Sequence, residues 1–333
     1  MRLLLVPDPT SPYGEDAFCR EIAQRAVKRG HEASIAVIPN GPLEATLDTL
    51  KATGFADSAD AVVINSLQPA ALLAAKAAGR KAAVRFIESY AAASPAALAE
   101  VKRLALSADL LLVPSRHLAE IVKAWGGNGQ IRHVPYAYDR IMAKQIKLVT
   151  IRASRSSFEM VASTALNELT RPGLETLFSA AARLRIDWHL SVIGEGPSQA
   201  ALQSRVEQLA AQNRVSFLGP LPHAKAMEFF RAAKAFVDPC GLEGFPTLAL
   251  HAMSEGCPVV AARTGPVLEL LRHDDNGMLF SPGDSVALSE SIMTLFSVRG
   301  LSLRLIDSGV KTVTSHSWDA TVSAVIAAVE TMR

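Results

Sequence analysis

Three cysteines in 333 residues, Cys19, Cys240 and Cys257, stand at no spacing that suits a disulfide framework or a zinc site. That excludes the small stapled folds and predicts a reducing, cytoplasmic setting. No apolar run approaches the roughly 20 residues needed to cross a bilayer. The apolar start, residues 1–6, is too short for a secretory signal and runs straight into Pro7 and Asp8. A peripheral contact at the inner face of a membrane stays open. Basic and acidic residues nearly balance, at 34 against 32 for a net charge of +2, which argues against a nucleic-acid partner. No repeat of solenoid period occurs. The lone histidines His117 and His133 have no second ligand at metal spacing, so no metal is expected, and no full dinucleotide fingerprint calls for a cofactor.

What the chain does contain is apolar residues, 49% of the whole, enough at this length for two cores. Short apolar runs alternate with helical patterns: strands at 2–6, 32–38, 61–64, 82–87 and 109–113, and helices at 15–28, 43–53, 69–78, 95–106 and from Ser115 onward. Ser115 is placed to cap the last of these. A second series begins near 158–164, with a helix at 174–184, a strand at 188–193, helices at 198–211 and 223–233, a strand at 235–238 and a helix at 285–296 capped by Asp284. Alternation of this kind predicts parallel sheets flanked by helices. The boundaries read as 1–145 and 146–318, with a last helix in 319–333. Residues 140–155 carry Arg140, Lys144, Lys147, Arg152 and Arg155 without periodicity. They read as a solvated linker, or as one cation that meets phosphate.

Chemistry concentrates in loops after strands. Glu243, Gly244, Phe245, Pro246 and Thr247 join a strand to a helix that carries His251. The N–H groups of a helix's first turn have no intrahelical partner, so its start suits a phosphate or a sugar hydroxyl. Gly194, Glu195 and Gly196 follow the strand at 188–193; a third glycine of the dinucleotide fingerprint is absent, since Gln199 holds that position. Gly219 ends the run 214–219, and Arg171 precedes Pro172 and Gly173. An ordinary β-α-β unit with glycine turns accounts equally well for these spacings alone.

Residues 243–253 and 256–261, together with 194–197, 214–219, 264–269 and 276–284, resemble the donor half of the retaining GT-B glycosyltransferases of family 4. The resemblance implies an α/β fold of two Rossmann-like domains facing a cleft, with the terminal helix crossing back to the first. It implies transfer of a sugar from a nucleoside diphosphate sugar to a hydroxyl acceptor (a glycan, a lipid-linked glycan or a small molecule) without a metal. Glu243 then holds the sugar hydroxyls. Gly14, Arg171, Gly194, Glu195, Gly219, Gly244, Phe245, Pro246, Thr247 and His251 meet the donor. The family pattern is altered at four places. His251 stands where a second acid holds ribose, and Pro172 stands where a lysine meets the diphosphate, with Arg171 as the nearest substitute. Gly14 remains of a glycine pair, and Asn65 and Ser66 occupy a histidine position. A protein that keeps the fold but only binds a partner or a sugar is the alternative. With an ordinary imidazole pKa of ~6.5, His251 is expected to make donor binding vary between about pH 5.5 and 7.5.

Overall fold

The computed structural model describes residues 1–7, 15–38, 41–87, 93–127, 129–138, 157–241 and 244–332. Gly14, Glu243 and the basic stretch 140–155 lie outside the described residues. The chain divides into two compact units, Met1–Ala137 with His316–Arg333, and Tyr138–Ser315.

In the first unit the strands are β1 (Arg2–Val6), β2 (Glu32–Ile35), β3 (Ala61–Asn65), β4 (Lys81–Arg85), β5 (Leu110–Val113) and β6 (Ile131–His133). They alternate with α1 (Glu15–Lys28), α2 (Leu43–Ala52), α3 (Pro69–Ala77), α4 (Pro95–Ser107) and α5 (Arg116–Ala124). The sheet order is β2-β1-β3-β4-β5-β6, with every pair parallel. Strands β3 and β5 are buried at every residue, as expected where helices cover both faces of a parallel sheet. One face packs Leu4, Val62, Ile64, Leu72 and Leu111; the other packs Leu3, Leu5, Val63 and Leu112 against Phe18 and Ile22 of α1. Ser115 caps α5 through the Leu118 N–H at 3.1 Å, as its sequence position suggests. Strand β2 stops at Ile35, short of 38, and β6 is a strand that its three residues, Ile-Arg-His, do not announce.

The second unit holds β7 (Phe158–Ser163), β8 (Trp188–Ile193), β9 (Val215–Phe217), β10 (Ala235–Asp238), β11 (Val259–Ala262) and β12 (Met278–Phe280). Its helices are α6 (Arg171–Ala181), α7 (Gln199–Gln208), α8 (His223–Ala232), α9 (Thr247–Ser254), α10 (Val267–Leu270), α11 (Ser285–Ser297) and α12 (Leu301–Ser315). The order is β12-β11-β10-β7-β8-β9, again parallel throughout. Asp284 caps α11 by accepting from the N–H groups of Val286 and Ala287 at 3.1 and 2.9 Å.

The last helix, α13 (Trp318–Glu330), belongs to the first unit and packs on α1. Trp318 meets Phe18 with ring centroids 6.5 Å apart, Arg25 pairs with Asp319 at 2.9 Å, and the Thr321 hydroxyl donates to the Pro135 carbonyl at 2.7 Å. Among the described residues no single helix is long and apolar enough to cross a membrane.

These strand orders fix where ligands belong. In an open parallel sheet the crevice lies at the carboxyl ends of the two strands where the winding reverses. That is between β1 and β3 in the first unit and between β7 and β10 in the second.

Candidate functional site

At the carboxyl edge of the second sheet the loops after β7, β8 and β9 are joined main chain to main chain. Thr164 N–H donates to Ile193 O at 3.0 Å, Leu166 N–H to Glu195 O at 2.9 Å, Ser198 N–H to Leu166 O at 2.9 Å, and Gly194 N–H to Gly219 O at 2.9 Å. Backbones this close exclude side chains. A Cβ on Gly194 would stand 2.0 Å from the Thr164 carbonyl oxygen, and φ there is +132°. Only glycine fits both conditions. The Glu195 side chain between the two glycines is exposed, while its carbonyl is used within the loop.

The β7 loop is held by its own side chains. Asn167 Oδ1 accepts from the N–H groups of Leu169 and Thr170 at 3.0 and 3.1 Å, and the Thr170 hydroxyl donates to the Ala165 carbonyl. Sequence reasoning passed over both residues, although an Asn ahead of a helix start is a turn signal. Arg171, the first residue of α6, pairs with Glu168 at 3.1 Å and Glu175 at 3.8 Å. It stands at the crevice edge, already engaged by two exposed carboxylates.

The β10 end closes the other side. The Asp238 carboxylate accepts from the N–H groups of Cys240 and Gly241 at 3.2 and 3.0 Å, and burial pushes its pKa up. Thr264 Oγ1 donates to Gly241 O at 2.6 Å. A Cβ on Gly173 would lie 2.8 Å from the Pro239 carbonyl oxygen, so this glycine sets the approach of α6 to β10. Burial, and then the charge of Asp238, raise the pKa of the Cys240 thiol.

Gly244 turns into α9 with φ +56°. Pro246 stands at the cap position of α9 rather than inside its first turn, and its carbonyl accepts from the Leu250 N–H at 3.2 Å. The expectation that Phe245, Pro246 and Thr247 together present N–H groups to phosphate needs correction. Proline has none, and the Thr247 N–H donates to the Phe245 carbonyl at 2.7 Å. The helix's donors toward an anion are therefore the next N–H groups of the same first turn, at Leu248 and Ala249, which precede the bond from Leu250 to Pro246.

His251 lies two turns into α9 and is 1% exposed. Its ring stacks on Tyr138, with centroids 4.2 Å apart, and meets His223 edge to face at 5.2 Å. The Tyr138 hydroxyl reaches His223 Nε2 and Met227 Sδ, each at 3.5 Å. Burial first, and the neighbouring His223 second, lower the His251 pKa to about 3. The expected dependence on pH between about 5.5 and 7.5 is thus corrected: this imidazole is neutral across that range. Its Nδ1 is buried without a hydrogen-bond partner. Tyr138, from which the cluster is built, carried no sequence signal beyond being aromatic.

Residues 167–312 match the family model described as Glycosyl transferases group 1. A stretch of 161 residues is 31% identical to a D-inositol 3-phosphate glycosyltransferase of Acidothermus cellulolyticus, covering 47% of this chain and 34% of that protein. Another of 116 residues is 34% identical to an exopolysaccharide phosphotransferase of Streptomyces coelicolor, covering 34% of this chain and 12% of that one. The matches therefore span about a third of one relative's length and about an eighth of the other's. Among solved structures, HepE of Anabaena in complex with UDP-glucose superposes with a TM-score of 0.82 at 18% identity, over 99% of this chain and 100% of that one. The chain has the two-sheet α/β fold of the GT-B glycosyltransferases, and over residues 167–312 it is similar to the glycosyl transferases of group 1.

Proposed function

We propose that this chain is a retaining, metal-independent glycosyltransferase of family 4, working in the cytoplasm or at the inner membrane face. It moves a sugar from a nucleoside diphosphate sugar to a hydroxyl acceptor. One observation carries the reading. The carboxyl ends of β7 and β10 meet at the switch point of the second sheet, the loops after β8 and β9 lie beside it, and backbone is brought close at Gly194, Gly196 and Gly173. Such an edge, which approaches a ligand through main chain, suits a diphosphate. UDP is the donor nucleotide to try first, since HepE was crystallised with UDP and with UDP-glucose.

In this reading the bond between the anomeric carbon and the β-phosphate oxygen breaks as the acceptor oxygen bonds the same face of that carbon. The leaving phosphate takes the acceptor's proton, so no protein base is needed. Negative charge grows on the diphosphate, and the N–H groups of Leu248 and Ala249 at the positive end of α9 are placed to meet it. Arg171 adds a cation by exchanging Glu168 and Glu175 for phosphate. Exposed pairs of this kind are worth about 0–1 kcal/mol, so the exchange costs little. Glu243 holds vicinal hydroxyls of the sugar, and His251, neutral, supports the ribose end of the pocket with Tyr138 behind it.

The test is incubation of the full chain with UDP-glucose and GDP-mannose, each with a panel of polyol acceptors, followed by NMR of the product's anomeric proton. A glycoside that keeps the donor's configuration supports the reading. Tight nucleotide binding with no transfer to any acceptor and no donor hydrolysis would support a binding protein instead.

A further inference from the structure

We propose that the second unit carries a binding site for a neutral sugar ring, apart from the crevice at its carboxyl edge, in the cavity between α8 and the face of β7 and β8. The cavity has a volume of about 360 Å³, at the small end of ligand pockets, which run from roughly 300 to 1,000 Å³. Its floor is Glu159 and Val161 of β7 with Ser191 of β8, and its wall is Lys225, Glu228 and Phe229 of α8. Glu159 is the second residue of β7, so the cavity lies toward the amino edge of the sheet, away from the loop at Gly194.

This face is unlike the other side of the same strands. Glu159 is in register with His189, Val161 with Ser191, and Ser191 with Ser216 of β9. On the opposite side these strands bury Phe158, Met160, Trp188, Leu190 and Val215 in the core. A parallel sheet packed under helices is apolar on both faces, whereas this one carries an acid, an imidazole and two hydroxyls. His189 Nε2 lies 3.0 Å from Ser216 Oγ, and its Nδ1 3.5 Å from Glu159 Oε2. That steadies one carboxylate oxygen of Glu159 and leaves Oε1 without a hydrogen bond among the described residues. Ser191 is 7% exposed, and its hydroxyl has no hydrogen-bond partner among the described residues. A hydroxyl taken out of water without a partner is a net cost, which a partner from outside the chain removes.

A sugar ring offers hydroxyls at its edge and C–H groups on its faces. The Glu159 carboxylate accepts from a hydroxyl, and Ser191 donates to one or accepts from it. The half-buried Phe229 supplies the apolar wall that such pockets use for the rest of the ligand. Charge favours a neutral ring. Lys225 is engaged by Glu228 at 2.6 Å, so an entering phosphate or carboxylate would face two glutamates with one lysine already paired, and like charges brought together are costly.

The site needs neither nucleotide nor transfer, so it does not rest on the transferase reading. The experiment is methyl NMR of the full chain, labelled at valine and titrated with glucose and with glucose 6-phosphate, with and without excess UDP. Glucose should shift the Val161 methyl signals saturably, the shift should persist when UDP is added, and glucose 6-phosphate should bind more weakly. Ser191→Val should weaken glucose binding about threefold or more, the worth of one hydrogen bond. Its melting temperature should stay at or above that of the wild type, because the fold makes no use of the hydroxyl. No saturable shift at Val161, a shift abolished by UDP, tighter binding of glucose 6-phosphate, or an unchanged midpoint in Ser191→Val would overturn the proposal. Should Ser191→Val fold poorly, Glu159→Gln replaces it. A weakening of similar size is expected there, and an unchanged midpoint overturns the assignment. Absence of UDP binding to the wild type would count against the transferase reading alone, and the titrations without UDP would still decide this one.

Discussion

At the carboxyl edge of the second sheet the close contacts are main chain to main chain: Gly194 on Thr164, Leu166 on Glu195, Gly173 on Pro239. At the same edge of the first sheet they are side-chain contacts, Arg85 with Asn65, Phe18 and Tyr136, and Gln68 with Pro7. Backbone contact demands glycine at fixed places and tolerates few substitutes. A side-chain site can be assembled from residues far apart in sequence and altered one residue at a time.

The comparison is broken most severely at Gly194. Alanine there meets a carbonyl oxygen at 2.0 Å with φ at +132°. We expect Gly194→Ala to cost about 3 kcal/mol or more, from strain and overpacking together, and UDP affinity to fall at least tenfold. Gly219→Ala is the control. Its φ is +68° but its Cβ would meet nothing within 4 Å, so a loss of only about 1 kcal/mol is expected. Equal losses in denaturant melts would show that close approach is not what these loops require.

Glu243→Gln should lower transfer by about ten- to a hundredfold, the worth of a charge-assisted hydrogen bond at roughly 1.5–3 kcal/mol, with the melting temperature unchanged. A lower melting temperature at unchanged specific activity would make Glu243 a brace for its loop.

A smaller effect concerns pH. The folded value for His251 of about 3 lies below the ~6.5 of an unfolded histidine. Between those limits the unfolded chain takes up a proton that the folded chain refuses. This group's contribution is therefore complete above about pH 6.5 and falls as pH drops toward 3, by at most about 1.4 kcal/mol per unit. His251→Phe keeps a ring against Tyr138 and should flatten the loss of stability between pH 6.5 and 4.5, read as the shift of urea midpoints. An unchanged slope would mean that the imidazole charges in the folded state. The smallest effect is expected at Arg171→Ala: stability within about 0.5 kcal/mol, since its pairs are exposed, and UDP affinity several-fold weaker with uridine affinity unaltered. Equal weakening of both ligands would remove Arg171 from the diphosphate.

The same contrast explains what could be read from the chain. The alternation of apolar runs and helical patterns disclosed two parallel α/β sheets, because a strand buried on both faces must be apolar throughout. Helix α12 escaped. Its Gly309 lets the helix lie against the Met253 side chain, 3.2 Å from where a Cβ would stand. The glycines of the second unit were legible, since close backbone approach leaves its mark on the residue that makes it. The surroundings of His251 were not. Its cover, Tyr138, lies far back in the chain, and no local spacing says that an imidazole on a helix will be sealed by a distant ring. The contacts of Arg85 with Phe18 and Tyr136 were equally hidden, since they join residues far apart in the chain.

The central claim is that a nucleotide sugar is held at the switch point of the second sheet. Crystals of the chain soaked with UDP-glucose test it most directly. The account predicts difference density for the diphosphate beside Gly194 and the first turn of α9, with the uridine toward Gly219. Density confined to the first unit, or an empty second-sheet edge at a concentration that saturates binding in solution, would contradict it.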